Sequence, residues 1–408
     1  MVCVGAAAAI TAGCGGNEST PAGDVTYYRD LLPIITERCA GCHAPGGFAP
    51  FSLVTYEDAR AHAAQVADAT GSGDMPPWPP GDGCGSFRDS RRLSPAEVAA
   101  FAGWNDAGAP AGDPSDAPPS LSPPATSLGT PSATLDPGAA YQPNPALTDD
   151  YHCFLADPGL TTARDMIGFD IHPGASASVH HVLLFAVPPA LLSAAEAKDA
   201  AEPGPGWTCF GATGVGIGAN VPPTIGGWVP GAGAAALPPP TGISLAAGTR
   251  VIIQVHYNML VQRDVLDRTT VDLYYADTPV AKPAQVLPLA NTTFVIPAGT
   301  TQTVIAEVPV PFGSWELWGV VPHMHLHGTE IKLSALHPDG GSTCGIDIPR
   351  WDFHWQQFYY YVDPLPGAAG DRLRLECTFD NTAGDQPLTW GEKTTDEMCL
   401  MYLYVTAQ

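Results

Sequence analysis

Cys39-Ala40-Gly41-Cys42-His43 sets two thiols one helical turn apart with an imidazole next in line, the C-x-x-C-H pattern of covalent haem attachment. The thiols would add to the haem vinyl groups, and His43 would be the proximal ligand to iron. Met75, the one Met between that motif and residue 113, is the candidate second axial ligand, because a thioether suits an electron-transfer haem. Pro76 and Pro77 would fix the loop that presents it. No second C-x-x-C follows, as a zinc site would require, and no βαβ pattern surrounds the pair, as a thioredoxin-like site would require.

A second set of donors lies further along: His180-His181, His256 in Gln254-Val255-His256-Tyr257, His323-Met324-His325, and Met398 in Asp396-Glu397-Met398-Cys399. Imidazoles suit copper, zinc, iron or nickel, but a thioether beside two imidazoles favours copper and its cuprous state. On a strand His323 and His325 share a face. Adjacent His180 and His181 point to opposite faces, so they can serve one ion only at a strand end or a bulge. His172 and His327 stand near these motifs, either as groups that orient ligands or in surface and core roles. His62, His337 and His354 carry no motif and read as structural.

The elements that must hold these groups follow from composition. Charged residues make up 14% of the 408, while Gly (44) and Pro (43) are abundant, so turns are many and long helical bundles are poor candidates. A net charge of -24 repels a phosphate backbone and excludes nucleic acid as a partner. Residues 1–23 read as an export leader, and Thr11-Ala12-Gly13-Cys14 resembles a lipoprotein cleavage box with Cys14 as the lipidated residue. Ten cysteines then point to an oxidising compartment. Residues 24–112 read as a small all-α unit, with Ser94-Pro95-Ala96-Glu97 opening its last helix, and 113–145 as a Pro/Ser/Ala-rich linker. From 146 the pattern becomes short β-branched and aromatic runs between Gly/Pro clusters, at 179–187, 249–257, 269–275, 302–310, 315–321 and 398–405. These suit two all-β sandwiches, 146–288 and 289–408. The Gly/Pro/Ala-rich stretch 203–247 reads as a long surface excursion.

Over residues 141–408 the chain resembles the copper type II, ascorbate-dependent monooxygenases, a family that includes peptidylglycine α-hydroxylating and dopamine β-monooxygenases. The resemblance rests, in order, on Tyr151-His152-Cys153, His180-His181, Gln254-Val255-His256-Tyr257, His323-x-His325, and Glu397-Met398-Cys399 followed by Tyr402. It implies two jelly-roll-like sandwiches, each holding one copper, facing each other across a solvent cleft. His180, His181 and His256 would hold an electron-transfer copper. His323, His325 and Met398 would hold the copper where dioxygen and substrate meet, with Tyr402 beside it. Disulfides Cys153–Cys209 and Cys377–Cys399 are implied as well, which leaves Cys84 and Cys344 over, able to pair across the domain boundary. Where peptide-amidating members carry an Arg and an Asn that hold the substrate carboxylate, this chain has Val321 and Leu400, so a peptide C-terminus is not the expected ligand. Residues 24–112 resemble a monohaem class I cytochrome c.

The resulting expectation is a copper-dependent monooxygenase of the bacterial cell envelope, periplasmic or lipid-anchored, with membrane contact only through that anchor. It would hydroxylate a C–H bond of a small non-peptide molecule with O2. Electrons from an external donor would pass through the fused haem c, with ascorbate or another reductant as a further source. The alternative is a copper and haem electron-transfer or copper-binding protein without oxygenase activity.

Overall fold

The structure, a computed structural model, describes residues 25–45, 49–119, 127–218, 220–230, 232–260, 262–311 and 313–407. The expected leader and Cys14 lie outside the described residues. The described residues divide into two units, one comprising 25–45, 49–76 and 93–119, the other 77–92 and those from 127 onward.

The first unit is helical. A continuous run over 27–39 has π-type turns at both ends, Tyr27–Leu31 and Ile35–Cys39, and is followed by helices Tyr56–Ala61, Ala63–Ser72 and Pro95–Asp106. The last begins with a capping box: the Ser94 hydroxyl accepts the Glu97 N–H, and the Glu97 carboxylate accepts the Ser94 N–H, which satisfies two otherwise unpaired donors. Tyr27, Leu31, Ile35, Phe101 and Trp104 form the buried core. The helix breaks at His62, whose ring stacks on Phe51 at 3.9 Å. Among the described residues no helix is long and apolar enough to cross a membrane.

The second unit holds four principal sheets whose paired strands are antiparallel apart from one short parallel pair. In the first half, Trp207–Thr208, Asp149–Ala156, Arg250–Asn258, Val179–Val187 and Thr224–Trp228 form one sheet in that spatial order. The other is Ala133–Leu135, Thr270–Tyr275, Arg164–His172, Thr241–Leu245 and Lys282–Pro283, with Ala235–Ala236 beside its third strand. Alternate residues point inward, so Phe154, Val182, Leu184 and Ile253 of one sheet share a core with Met166, Phe169, Val271 and Leu273 of the other. In the second half, Gln285–Asn291, Cys399–Ala407, Ser314–His323 and Tyr359–Ala368 form one sheet, and Thr301–Pro309, Arg372–Asp380, Gly328–Leu336 and Ser342–Ile348 the other. Their core collects Leu317, Met324, Ile331, Leu375, Phe379 and Met401.

Three expectations change. Residues 77–92, read as part of the helical unit, belong to the β unit. They are fixed there by the Cys84–Cys344 disulfide, by a Phe87–Tyr361 bridge, and by Trp78 edge-on to Tyr359 at 5.5 Å, since Trp78 and Phe87 cover apolar surface of the second core. The stretch 113–145 is not linker throughout, because Ala133–Leu135 pairs with Thr270–Tyr275 and buries Leu135. The stretch 203–247 is no surface excursion: it supplies strands to both sheets of the first half and buries Trp207, Ile225 and Trp228. Its glycines serve close packing, since a Cβ on Gly226 would stand 2.6 Å from the Phe169 ring. The second half begins at Gln285, slightly ahead of residue 288. Disulfides Cys153–Cys209 and Cys377–Cys399 are present as the family pattern implies.

Candidate metal centre

His180 and His181 open the strand Val179–Val187, and the pairing register slips between Val179 and His181. Val179 faces Tyr257 and His181 faces His256, so His180 is the extra residue of a bulge. That bulge turns two adjacent side chains to one side, as a shared ion would demand. The Nδ1 of His181 lies 3.2 Å from the Nδ1 of His180 and 3.4 Å from that of His256, and the three rings offer nitrogens within 4.8 Å of one another. Three nitrogens each about 2.0–2.1 Å from one first-row ion must be roughly 3.3–3.6 Å apart, so the donor set fits a metal ion. The His256 Nε2–H donates to Asp149 Oδ1 at 3.0 Å, which fixes the tautomer and leaves a lone pair on Nδ1. Burial, with neighbouring imidazoles adding to it, pulls His180 down to about 3 and His181 well below the usual histidine range. Burial lowers His256 too, against the pull of Asp149. The cluster is therefore neutral and ready to ligate.

His323 ends the strand Ser314–His323 and His325 follows two residues on, while Met324 between them is buried in the second core. The His323 Nδ1–H donates to Gln356 Oε1 at 2.5 Å and the His325 Nδ1–H to the Asp396 carbonyl at 3.0 Å. Both rings thus keep Nε2 as a lone pair. Burial takes His323 down to about 3 and lowers His325. The loop is templated by Glu397, which is fully buried and accepts N–H bonds from His325, His327 and Met398 at 3.0, 2.6 and 3.3 Å. Burial pushes its carboxyl up to about 7. Met398 lines the same cavity as His323 and His325.

The two histidine sets adjoin, where a solvent cleft between them was expected. The rings of His181 and His323 are 6.4 Å apart centre to centre, and Phe353 stacks on His180 at 4.9 Å while standing edge-on to His325 at 5.9 Å. Two of the polar ties between the halves lie beside the histidines. Thr394 donates to Asp149, the residue that also anchors His256, at 2.9 Å, and the Tyr151 hydroxyl donates to the Glu392 carbonyl at 2.8 Å. Tyr151 also stacks on His256 at 4.0 Å. Asp149, Glu397, Phe353 and Gln356 had no sequence signal beyond adjacency to other groups. His172 sits away from the cluster, against Asp272, and His327 contributes its backbone N–H while its ring turns to the Asp380 carbonyl.

Beside the histidines lies a cavity of 390 Å³ walled by both halves. Ile225, Trp228 and Leu237 come from the first half, and Val286, Val321 and Leu400 from the second, with Tyr402 beside Leu400. A Cβ on Gly319 would meet Tyr360 Cδ1 at 2.6 Å, so the bare glycine lets that ring lie across the strand as part of the wall. Burial and Glu392 raise the Tyr402 phenol to about 12.

In the helical unit, the N–H groups of Cys42 and His43 both donate to the Cys39 carbonyl, at 3.1 and 2.9 Å, so the motif closes the helical run in one tight turn. The His43 Nδ1–H donates to the Phe51 carbonyl at 3.0 Å, leaving the Nε2 lone pair available, and both thiols are free. This donor set fits a covalently attached haem. Met75 follows Ala63–Ser72, its N–H held by the Ala69 carbonyl at 3.0 Å.

Residues 279–406 match the family model described as copper type II ascorbate-dependent monooxygenase, C-terminal domain. Among individual proteins, the chain is 26% identical over 198 residues to DBH-like monooxygenase protein 1 of Gallus gallus, covering 43% of this chain and 32% of that protein. It is 33% identical over 88 residues to the Mus musculus protein of the same name (21% and 14%), and 23% identical over 288 residues to a DBH-like monooxygenase protein 2 of Homo sapiens (66% and 52%). The chain thus spans at most about half the length of these curated relatives. The solved structure of PNGF-II matches 69% of the chain and 63% of its own at 10% identity, with a TM-score of 0.28, too low to carry an argument.

Proposed function

We propose that this protein is a copper-dependent monooxygenase that hydroxylates a C–H bond of a small non-peptide molecule. The reaction takes the C–H compound, O2, two electrons and two protons to the alcohol and water. The observation that carries this reading is the donor geometry: three converging Nδ1 atoms and two free Nε2 atoms adjoin one apolar cavity whose wall also includes Met398. Copper, when bound, supplies the one-electron chemistry and the activation of dioxygen. His180, His181 and His256 would hold the electron-transfer ion, and His323, His325 and Met398 the ion next to substrate. Asp149, Gln356 and the Asp396 carbonyl orient the rings, and the surrounding apolar side chains exclude water. Tyr402 lines the same wall and would contact substrate.

Cys39, Cys42 and His43 would hold haem c, with Met75 as second axial ligand, and this haem would receive electrons from an external donor, ascorbate or another reductant. Attachment of haem c outside the cytoplasm places the protein in the bacterial cell envelope on this reading. The test is elemental analysis beside the haem spectrum, on protein matured where haem c is attached. Two coppers per haem, falling to one in His256→Ala, support the proposal. Absence of copper after it has been offered overturns it.

A further inference from the structure

The cavity beside the histidines has a composition that limits what can enter. None of its lining residues is Lys or Arg, and Glu392 is the one carboxylate among them. Most polar side chains in the wall are already engaged. Gln254 donates to the Cys209 carbonyl, Gln356 serves His323 and the Phe353 carbonyl, and Thr394 serves Asp149. The Tyr404 and Thr241 hydroxyls bond each other. The Tyr402 hydroxyl makes no hydrogen bond to another described residue and is left as a neutral donor and acceptor.

From this composition we infer that the site takes an uncharged, largely hydrocarbon substrate, ring-bearing and carrying at most a neutral polar group such as a hydroxyl, and that it rejects both carboxylates and amines. The inference rests on the monooxygenase reading for what happens to that molecule, but not for its binding.

The physical grounds are desolvation and shape. An anion entering this cavity would lose its water and meet no cation, and an unpaired buried charge is strongly disfavoured. An ammonium would have Glu392 alone to pair with, and burial together with Asp396 pushes that carboxyl up to about 7, so it is a weak counter-ion near neutral pH. Metal ions held by the adjacent imidazoles would add positive charge to the wall and repel an ammonium further. The aromatic rings of Trp228, Phe358 and Tyr360 are among the lining residues and give a ring-bearing substrate aromatic surface to pack against.

The test compares three molecules with one body: 3-phenylpropan-1-ol, 3-phenylpropanoate and 3-phenylpropylamine. Each is titrated into the full chain, stripped of copper so that neither ion can bind by direct ligation. Binding is read by calorimetry and by the fluorescence of Trp228 and Trp390. The alcohol is expected to bind about ten-fold or more tightly than either ion. Ala290→Trp, which fills the cavity, is expected to abolish alcohol binding. Val321→Arg, two residues before His323 on the same face, is expected to reverse the order of alcohol and carboxylate. Carboxylate or amine binding as tight as the alcohol in the unmodified chain overturns the inference, as does alcohol binding that survives Ala290→Trp with the fold intact by thermal denaturation. Failure of the monooxygenase reading looks different: the copper-loaded, reduced protein would bind the alcohol and consume no O2.

Discussion

Asp149 ties the first histidine set to the other half through a single carboxylate. It fixes the tautomer of His256 and accepts the Thr394 hydroxyl from the other half. Partners of this kind raise ligand basicity, and their loss typically costs about 10–100-fold in metal affinity. Asp149→Ala is therefore expected to weaken the first metal set by about that factor while leaving His323 and His325 able to bind, as competition with a copper chelator would show. Glu397→Gln replaces one acceptor oxygen by a donor among three buried N–H groups. An unsatisfied buried donor costs about 1–3 kcal/mol, a loss that urea unfolding would register together with copper lost from the second set. The histidines that the fold brings together were legible from residue type and spacing. Asp149 and Glu397 were not, because each owes its role to partners brought in by the fold, including one 245 positions away in the case of Thr394.

At the scale of elements, strand edges follow the chain closely. The β-branched run at 179–187 is the strand Val179–Val187, and the need for a bulge at His180-His181 is met by the register slip. What escaped the sequence was strand hidden in glycine. Thr224–Trp228 contains two adjacent glycines and reads as loop, yet it is buried almost throughout because Phe169 occupies the space a side chain would take. The segment 77–92 escaped for a related reason, since a short Pro/Gly stretch gives no periodicity and its seat is set by Cys84 and two aromatic rings. Cys84→Ser is expected to cost about 2–4 kcal/mol, typical of losing a native disulfide, and to expose the peptide bonds around Gly83 to a protease. The cleavage pattern would show the segment released while the sheets persist. Unchanged protease resistance would mean that Trp78 and Phe87 suffice to hold it.

Across the whole molecule, the buried histidines set the acid limit. His180 and His323 titrate near 3 in the fold, and His181, His256 and His325 are also depressed below the 6.5 of an open chain. Below 6.5 the unfolded chain takes up protons that the copper-free fold refuses, so stability falls as pH drops from 6.5 toward 3. Glu392 and Glu397, raised to about 7, act in the opposite sense because they hold protons in the fold, but the imidazoles outnumber them. Melting temperature against pH for copper-free protein should decline on the acid side, and bound copper should raise the curve without removing that decline, because the imidazoles carry no proton in the fold with or without the metal while the unfolded chain still takes protons up.

The Cys84–Cys344 disulfide also sets a schedule for biogenesis. Its two ends are separated by 260 residues, so on a chain emerging from its N-terminus Cys84 waits for a partner through the synthesis of the entire first half and part of the second. At roughly 5–20 residues per second that interval is on the order of 10–50 s. Throughout it, Cys84 is an open thiol downstream of Cys39 and Cys42. If haem is attached at those two positions as proposed, its prompt attachment would remove the nearest wrong partners before Cys344 emerges.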